Sequence, residues 1–127
     1  MTSTTLIKTR ATMPQGPLDQ CHGGKGTLAW IGVLGREDLP GRQVNFVHDD
    51  VLASGVSIGL HPHTEDEEYY YIISGQGTMT LDEQRFEVSA GDITAVFPGG
   101  RHALENTGTA DLRLLVFSVG RPVPEGQ

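Results

Sequence analysis

Hydrophobic and β-branched residues occur in short runs of four to ten from Leu28 onward, and each run ends at a cluster of turn-forming residues. This pattern predicts β-strands. No segment shows the longer 3.6-residue periodicity of an amphipathic helix. Nine strands are predicted, at Leu28–Leu34, Val44–His48, Val51–Leu60, Tyr69–Ser74, Thr78–Leu81, Arg85–Val88, Ile93–Phe97, Arg101–Asn106 and Leu112–Val119. Nine strands without a convincing helix indicate an all-β sandwich or barrel.

Both ends of the chain differ from this central region. Residues 1–27 are mostly small, polar, Gly or Pro, and predict an extended N-terminal arm in which residues 21–26 have a loop composition. Residues 28–119 form the predicted barrel. Residues 120–127 have no apolar periodicity and predict a flexible C-terminal tail.

Composition narrows the function classes. The 127 residues suit one domain, and 17 glycines with 7 prolines fit a turn-rich fold. The net charge of −7, without a run of Lys or Arg, argues against a nucleic-acid partner. No stretch approaches the roughly 20 apolar residues that span a membrane, and residues 1–13 lack the apolar stretch that a signal peptide would have, so we expect none. Cys21 has no partner for an internal disulfide, so we expect a cytoplasmic protein.

Candidate chemistry concentrates at three histidines. His61 and His63 are two residues apart, so on a strand they face the same side, and the acidic run 65–68 follows at once. His102 lies on a later predicted strand after a glycine-rich turn. Imidazoles with a nearby carboxylate are typical ligands of a transition-metal ion.

The sequence here resembles the cupin superfamily of small metal-binding barrels. The first cupin motif is matched by Gly55, His61, His63, Glu68 and Gly75. The second is matched by Gly91, Gly99, His102 and Asn106, with Phe97 where the family usually has proline and Pro98 one place later. The short spacer between the motifs is typical of bacterial single-domain cupins, and the match covers about residues 28–119.

The resemblance implies a double-stranded β-helix, also called a jelly roll, that binds one divalent ion through His61, His63, Glu68 and His102. Strict strand parity from the two neighbouring histidines would favour Glu65 or Glu67 as the carboxylate, whereas the family spacing favours Glu68. Three imidazoles and a carboxylate suit Mn, Fe, Ni, Co or Zn and do not choose among them. Since cupins usually pair barrels and apolar edge strands need covering, we expect a homodimer.

Other residues are weaker candidates. Tyr70 shares strand parity with Glu68 and is a candidate catalytic residue, although tyrosines in strands commonly just pack the core. His48 is a candidate acid or base, or a structural histidine. Arg101 is a candidate for holding a substrate carboxylate at the mouth of the site, or is simply solvated. Cys21 and His22 are candidates for lining the entrance.

Two functions remain open. We favour a metal-dependent enzyme that acts on a small oxygen-rich substrate, a carboxylate, enediol or dicarbonyl, as a dioxygenase, decarboxylase or lyase, isomerase or cyclase. The alternative is a non-catalytic cupin that binds a small acid through the same metal. The segments 21–26 and 57–59 are most similar to small oxalate-decarboxylase-like monocupins.

Overall fold

The computed structural model describes residues 4–120, so most of the predicted tail lies outside the described residues. Within this range no helix is long and apolar enough to cross a membrane. Single turns of 3-10 helix occur at Arg10–Thr12, Cys21–Gly23 and Arg36–Asp38. The strands are β1 (Gln15–Asp19), β2 (Thr27–Leu34), β3 (Val44–Leu52), β4 (Ser57–Pro62), β5 (Asp66–Ser74), β6 (Gln76–Leu81), β7 (Gln84–Ser89), β8 (Ile93–Val96), β9 (Arg101–Glu105) and β10 (Leu112–Gly120).

The strands form two antiparallel sheets, as the predicted jelly roll requires. The larger sheet has the order β1-β2-β3-β10-β5-β8, and the smaller has the order β4-β9-β6-β7. The inner faces bury one apolar core, which includes Leu52, Ile58, Ile72, Leu104 and Leu114. Burying each such side chain contributes roughly 1.5–3 kcal/mol. The all-β jelly-roll fold is confirmed.

Two predicted strand boundaries were wrong around Asp49 and Asp50. The predicted strands stop at His48 and resume at Val51, but β3 runs through to Leu52, and the chain turns at residues 53–56 instead. Asp49 faces outward, where Arg113 and Arg10 bind its carboxylate and hold its pKa below the usual range. The strand therefore tolerates the pair because its two acids point to opposite faces.

The predicted N-terminal arm contains a strand that the sequence pattern did not reveal. β1 pairs antiparallel with β2 over Gln15–Asp19 and Thr27–Ile31, and so extends the larger sheet. The residues of β1 are mostly exposed and include a proline, which is tolerated at a sheet edge. The loop predicted at residues 21–26 contains the single helical turn Cys21–Gly23.

Asn106, a position of the second cupin motif, closes the turn before β10. Its amide nitrogen donates to the carbonyls of Leu52 and Ala110, and its side-chain oxygen accepts from the Gly108 N–H. The side chain is 1% exposed. It satisfies backbone groups that would otherwise be buried without partners.

The two glycines of the first motif differ in their surroundings, and this yields a stability prediction. Both have left-handed backbone, with φ of +83° at Gly55 and +86° at Gly75. A Cβ at Gly75 would clash with the Asp111 carbonyl oxygen, whereas nothing lies within 4 Å of one at Gly55. We expect Gly55→Ala to cost about 1 kcal/mol of unfolding free energy and Gly75→Ala about 3 kcal/mol. Urea denaturation of the metal-free variants measures both, and equal losses would contradict the close approach.

Candidate metal centre

Four side chains from three strands and one loop meet in the barrel. His61 lies on β4 and is the register partner of His102 on β9. His63 follows β4 directly, and its backbone exchanges two hydrogen bonds with the turn before β9, to Gly100 O at 3.0 Å and from Gly99 N at 2.8 Å. Glu68 points inward from β5. All four are buried.

A β-bulge in β4 turns His61 inward. Ile58 pairs with Leu104 and His61 pairs with His102, so three steps on β4 match two steps on β9. Without the extra residue, Ile58 and His61 would face opposite sides of the sheet, because they are an odd number of residues apart. With it, Ile58 enters the core and His61 enters the site.

The four donor atoms crowd around one point. His102 Nε2 lies 3.1 Å from His61 Nε2, 3.2 Å from His63 Nε2 and 3.0 Å from Glu68 Oε1. Glu68 Oε1 lies 3.3 Å from His63 Nε2 and 3.8 Å from His61 Nε2. Two donors that each sit about 2.1 Å from one ion, at a right angle, are about 3.0 Å apart. The spacing therefore fits one small cation.

Hydrogen bonds at the opposite ring nitrogens orient two of the histidines. His61 Nδ1 donates to the Gly59 carbonyl at 2.7 Å, and His63 Nδ1 donates to Asp66 Oδ1 at 2.9 Å. Each bond fixes the tautomer in which the Nε2 lone pair faces the site. Ser118 donates to Asp66, and Asn45 donates to Ser118 at 3.0 Å, so a buried chain of hydrogen bonds supports His63. His102 Nδ1 is buried without a partner among the described residues.

The electrostatics of the cluster favour a positive charge. Burial alone would lower the pKa of His63, but its hydrogen bonds to Glu68 and Asp66 raise it to about 9. Burial would likewise raise the pKa of Glu68, yet the three histidines hold it well below its usual range. Burial lowers the pKa of His102, which keeps that imidazole neutral. Glu68 is therefore already in the ionised form that binds a divalent ion, whereas His63 has to release its proton when the ion binds.

The cluster opens onto a pocket of about 720 Å³ inside the barrel. Residues 18–22 of the arm form one wall, and Phe46, His48 and Asp50 of β3 form another. His22 stacks on His61 with ring centroids 3.6 Å apart. A Cβ at Gly59 would clash with the His22 carbonyl oxygen, so only glycine there lets the arm pack this closely on β4.

The three candidate catalytic residues lie in different places. Tyr70 is 2% exposed and lines the pocket, with burial and Glu68 raising its pKa well above the usual range. His48 also lines the pocket, and burial lowers its pKa to about 4, so its ring is neutral. Arg101 is not brought to the pocket. Successive residues of a strand point to opposite faces, so Arg101 faces outward because its neighbour His102 faces inward. A guanidinium nitrogen of Arg101 lies 3.9 Å from Glu83 Oε1.

Sequence reasoning missed Asp50 and Asp66. Asp66 occurs in the acidic run three residues after His63, and this spacing could have suggested a partner for the imidazole. No pattern singled out Asp50, since its place on the inner face becomes visible only when β3 is seen to be continuous. Cys21 lines the pocket as expected, and burial raises its pKa to about 11, so it is a thiol rather than a thiolate at neutral pH.

Comparison with known proteins agrees with this geometry. Residues 49–118 match the family described as the cupin domain. The chain is a cupin. It is 33% identical over 102 residues to an oxalate-binding protein of Thermotoga maritima. The aligned region covers 80% of this chain and 84% of that protein.

Solved cupin structures share the fold. The crystal structure of a predicted oxalate decarboxylase from Thermotoga maritima matches with a TM-score of 0.84 and 27% identity, covering 91% of this chain and 100% of that one. The cupin domain of Schizosaccharomyces pombe Cnp3 matches with a TM-score of 0.67 and 15% identity, covering 84% of this cupin and 69% of that chain. At that identity the second match speaks for the fold alone.

Glu68 and Glu65 provide a matched pair for testing the metal centre. Glu68 is buried among the histidines, whereas Glu65 is exposed and outside the cluster. We expect Glu68→Gln to lower affinity for a divalent ion at least tenfold, because it removes the one carboxylate of the cluster. Glu65→Gln should leave affinity unchanged. Metal content after dialysis checks both, and metal loss in Glu65→Gln alone would identify the other acid as the ligand.

Asp66 allows a second test, of the hydrogen bond behind His63. Asp66→Asn keeps the size of the side chain but removes the charge that orients the imidazole, so we expect affinity for the metal to fall about 10- to 100-fold. Glu67→Gln is the control, because Glu67 is the next residue on β5 and accepts its hydrogen bond from Tyr69. Competition with a metal-binding dye gives both affinities. Equal affinity in the two variants would show that His63 needs no carboxylate.

Proposed function

We propose that this cupin binds one divalent metal ion through His61, His63, Glu68 and His102, and through it a small chelating dicarboxylate of the oxalate class. The observation that carries the proposal is the convergence of four donor atoms, two with fixed imidazole tautomers, at the side of an open pocket. The similarity to an oxalate-binding protein supports the ligand class.

A chelating acid suits the number of donors. Four protein donors leave two positions of a six-coordinate ion for a ligand, and the two carboxylates of oxalate offer one oxygen each. The bound ion would supply Lewis-acid attraction for those oxygens. The pocket volume of about 720 Å³ exceeds what oxalate needs, so the site also has room for water or a longer dicarboxylate.

The chain's own residues would orient the acid. The Tyr70 hydroxyl keeps its proton because its pKa lies well above the usual value, so it is a hydrogen-bond donor at every physiological pH. His48 is held by ring contacts, stacked on Phe46 at 4.3 Å and edge-on to Trp30 at 5.4 Å. A neutral imidazole fixed in this way offers one donor and one acceptor to the pocket.

Catalysis is the second candidate function, and Tyr70 and His48 are the observation in its favour. Decarboxylation of a small acid needs a group that delivers a proton to the product carbon, and both side chains face the pocket. Binding alone requires neither to exchange protons. Incubation of the metal-loaded protein with ¹³C-oxalate, followed by NMR detection of formate and bicarbonate, separates the two functions. Formate production by the wild type that falls in Tyr70→Phe by a larger factor than oxalate affinity does would establish the enzyme.

Metal dependence of binding is the central test of the proposal. We expect oxalate to bind the Mn²⁺-loaded protein and not the chelator-treated protein. The described residues that line the pocket include no lysine or arginine that could attract the anion when the metal ion is absent. Isothermal titration calorimetry measures both affinities. His61→Ala is the control and should lose metal and oxalate together. Equal oxalate binding with and without metal would overturn the proposal.

A further inference from the structure

Asp50 is a buried acid that the metal centre does not use. It lies on β3 in register with Leu114 of β10 and Trp30 of β2. Together with Phe46 and His48 it forms the inner face of β3 and lines the pocket. The residue is 4% exposed.

The carboxyl group of Asp50 lacks the partners that other buried acids in the described chain possess. Its Oδ1 is buried and has no hydrogen-bond partner among the described residues. By contrast, Asp66 accepts from His63 and Ser118, and Asp49 accepts from Arg113 and Arg10. An unsatisfied buried carboxyl is costly, so a group from outside the chain is its natural partner.

The surroundings of Asp50 favour its neutral form. Four titratable groups face Asp50. They are the Cys21 thiol from the helical turn Cys21–Gly23, Glu68 and Tyr70 from β5, and the neutral His48 on the same strand as Asp50. The facing residues of β10 and β2, Leu114, Val116 and Trp30, do not titrate. Burial, with the charges of Asp49 and Glu68, raises the pKa of Asp50 to about 7.

We propose that Asp50 binds the metal-held acid as a neutral carboxylic acid, by donating a hydrogen bond to one of its oxygens. This inference rests on the proposed function above. No lysine or arginine is among the described residues lining the pocket. An ionised Asp50 would therefore repel an anion at short range, and the proton converts that repulsion into a hydrogen bond. The pocket thereby selects anionic acids that present a hydrogen-bond acceptor toward β3.

The inference requires that ligand binding take up a proton. Below the pKa of Asp50 the donor is already present, and affinity is independent of this group. Above it, each unit of pH removes the neutral form tenfold, so the dissociation constant rises up to tenfold per unit until the pKa of the complex is reached. Asp50→Asn retains a donor of the same shape at every pH, and Asp50→Leu retains none.

Calorimetric titration of the Mn²⁺-loaded full chain with oxalate, from pH 6 to 9 in buffers of different ionisation enthalpy, tests the inference. We expect the wild type to weaken across this range and to take up close to one proton at high pH. Asp50→Asn should bind oxalate as tightly as the wild type at pH 6. At pH 9 it should show neither the weakening nor the proton uptake that Asp50 causes in the wild type. Asp50→Leu should bind about tenfold more weakly already at pH 6.

Controls separate the possible failures. Glu65→Gln removes an exposed carboxylate at the pocket and should keep the wild-type pH profile. Metal content of one ion per chain in each variant shows that the fold and the centre are intact. If the wild type holds metal but binds no oxalate, the proposed function fails and this inference with it. If the wild type binds oxalate and Asp50→Asn keeps the same pH slope and proton uptake, the inference alone is overturned.

Discussion

The crowding of four donor atoms at one buried point is the constraint on which the rest of the structure depends. Three imidazole nitrogens and a carboxylate oxygen lie within 4.8 Å of one another, and the hydrogen bonds at Nδ1 of His61 and His63 turn the Nε2 atoms of both rings toward the site. Such an arrangement is unfavourable without a cation, so the fold must hold it in place. Cross-strand pairing of His61 with His102 and the backbone bonds of His63 to Gly99 and Gly100 do this.

Gly59 links three parts of this arrangement. It lies in the bulge that turns His61 inward, its carbonyl accepts the His61 Nδ1 proton, and its missing side chain lets the His22 backbone approach. The stacked His22 ring then covers one face of the His61 ring. A segment that reads as an arm in the sequence is thus a wall of the site, because one strand carries both the ligand and the surface on which the arm packs.

The strands and the histidine cluster could be predicted because both depend on local spacing. Turn residues end the runs, and the cupin motif's spacing selects Glu68 rather than Glu65 or Glu67, which strict parity would have favoured. A loop at residues 63–65 separates β4 from β5, so the alternation of inward and outward side chains does not continue from one strand to the next. The hydrophobic pattern of the sequence does not reveal this interruption. β1, Asp50 and the outward Arg101 were missed or misplaced for a related reason. Each depends on which strand lies beside it and which face it presents, and these are properties of the folded sheet.

The inner face of the larger sheet changes character from one layer to the next. Glu68 of β5 lies level with Ser118 and Phe46, Tyr70 with Val116 and His48, and Ile72 with Leu114 and Asp50. The three layers therefore contain, in order, a metal ligand, polar side chains of the pocket wall, and apolar core residues. Asp50 is an acid in the layer of the apolar core. A leucine there would pack with Ile72 and Leu114 and avoid an unsatisfied carboxyl. The fold gains nothing visible from the acid, so its place is best explained by what the pocket must bind.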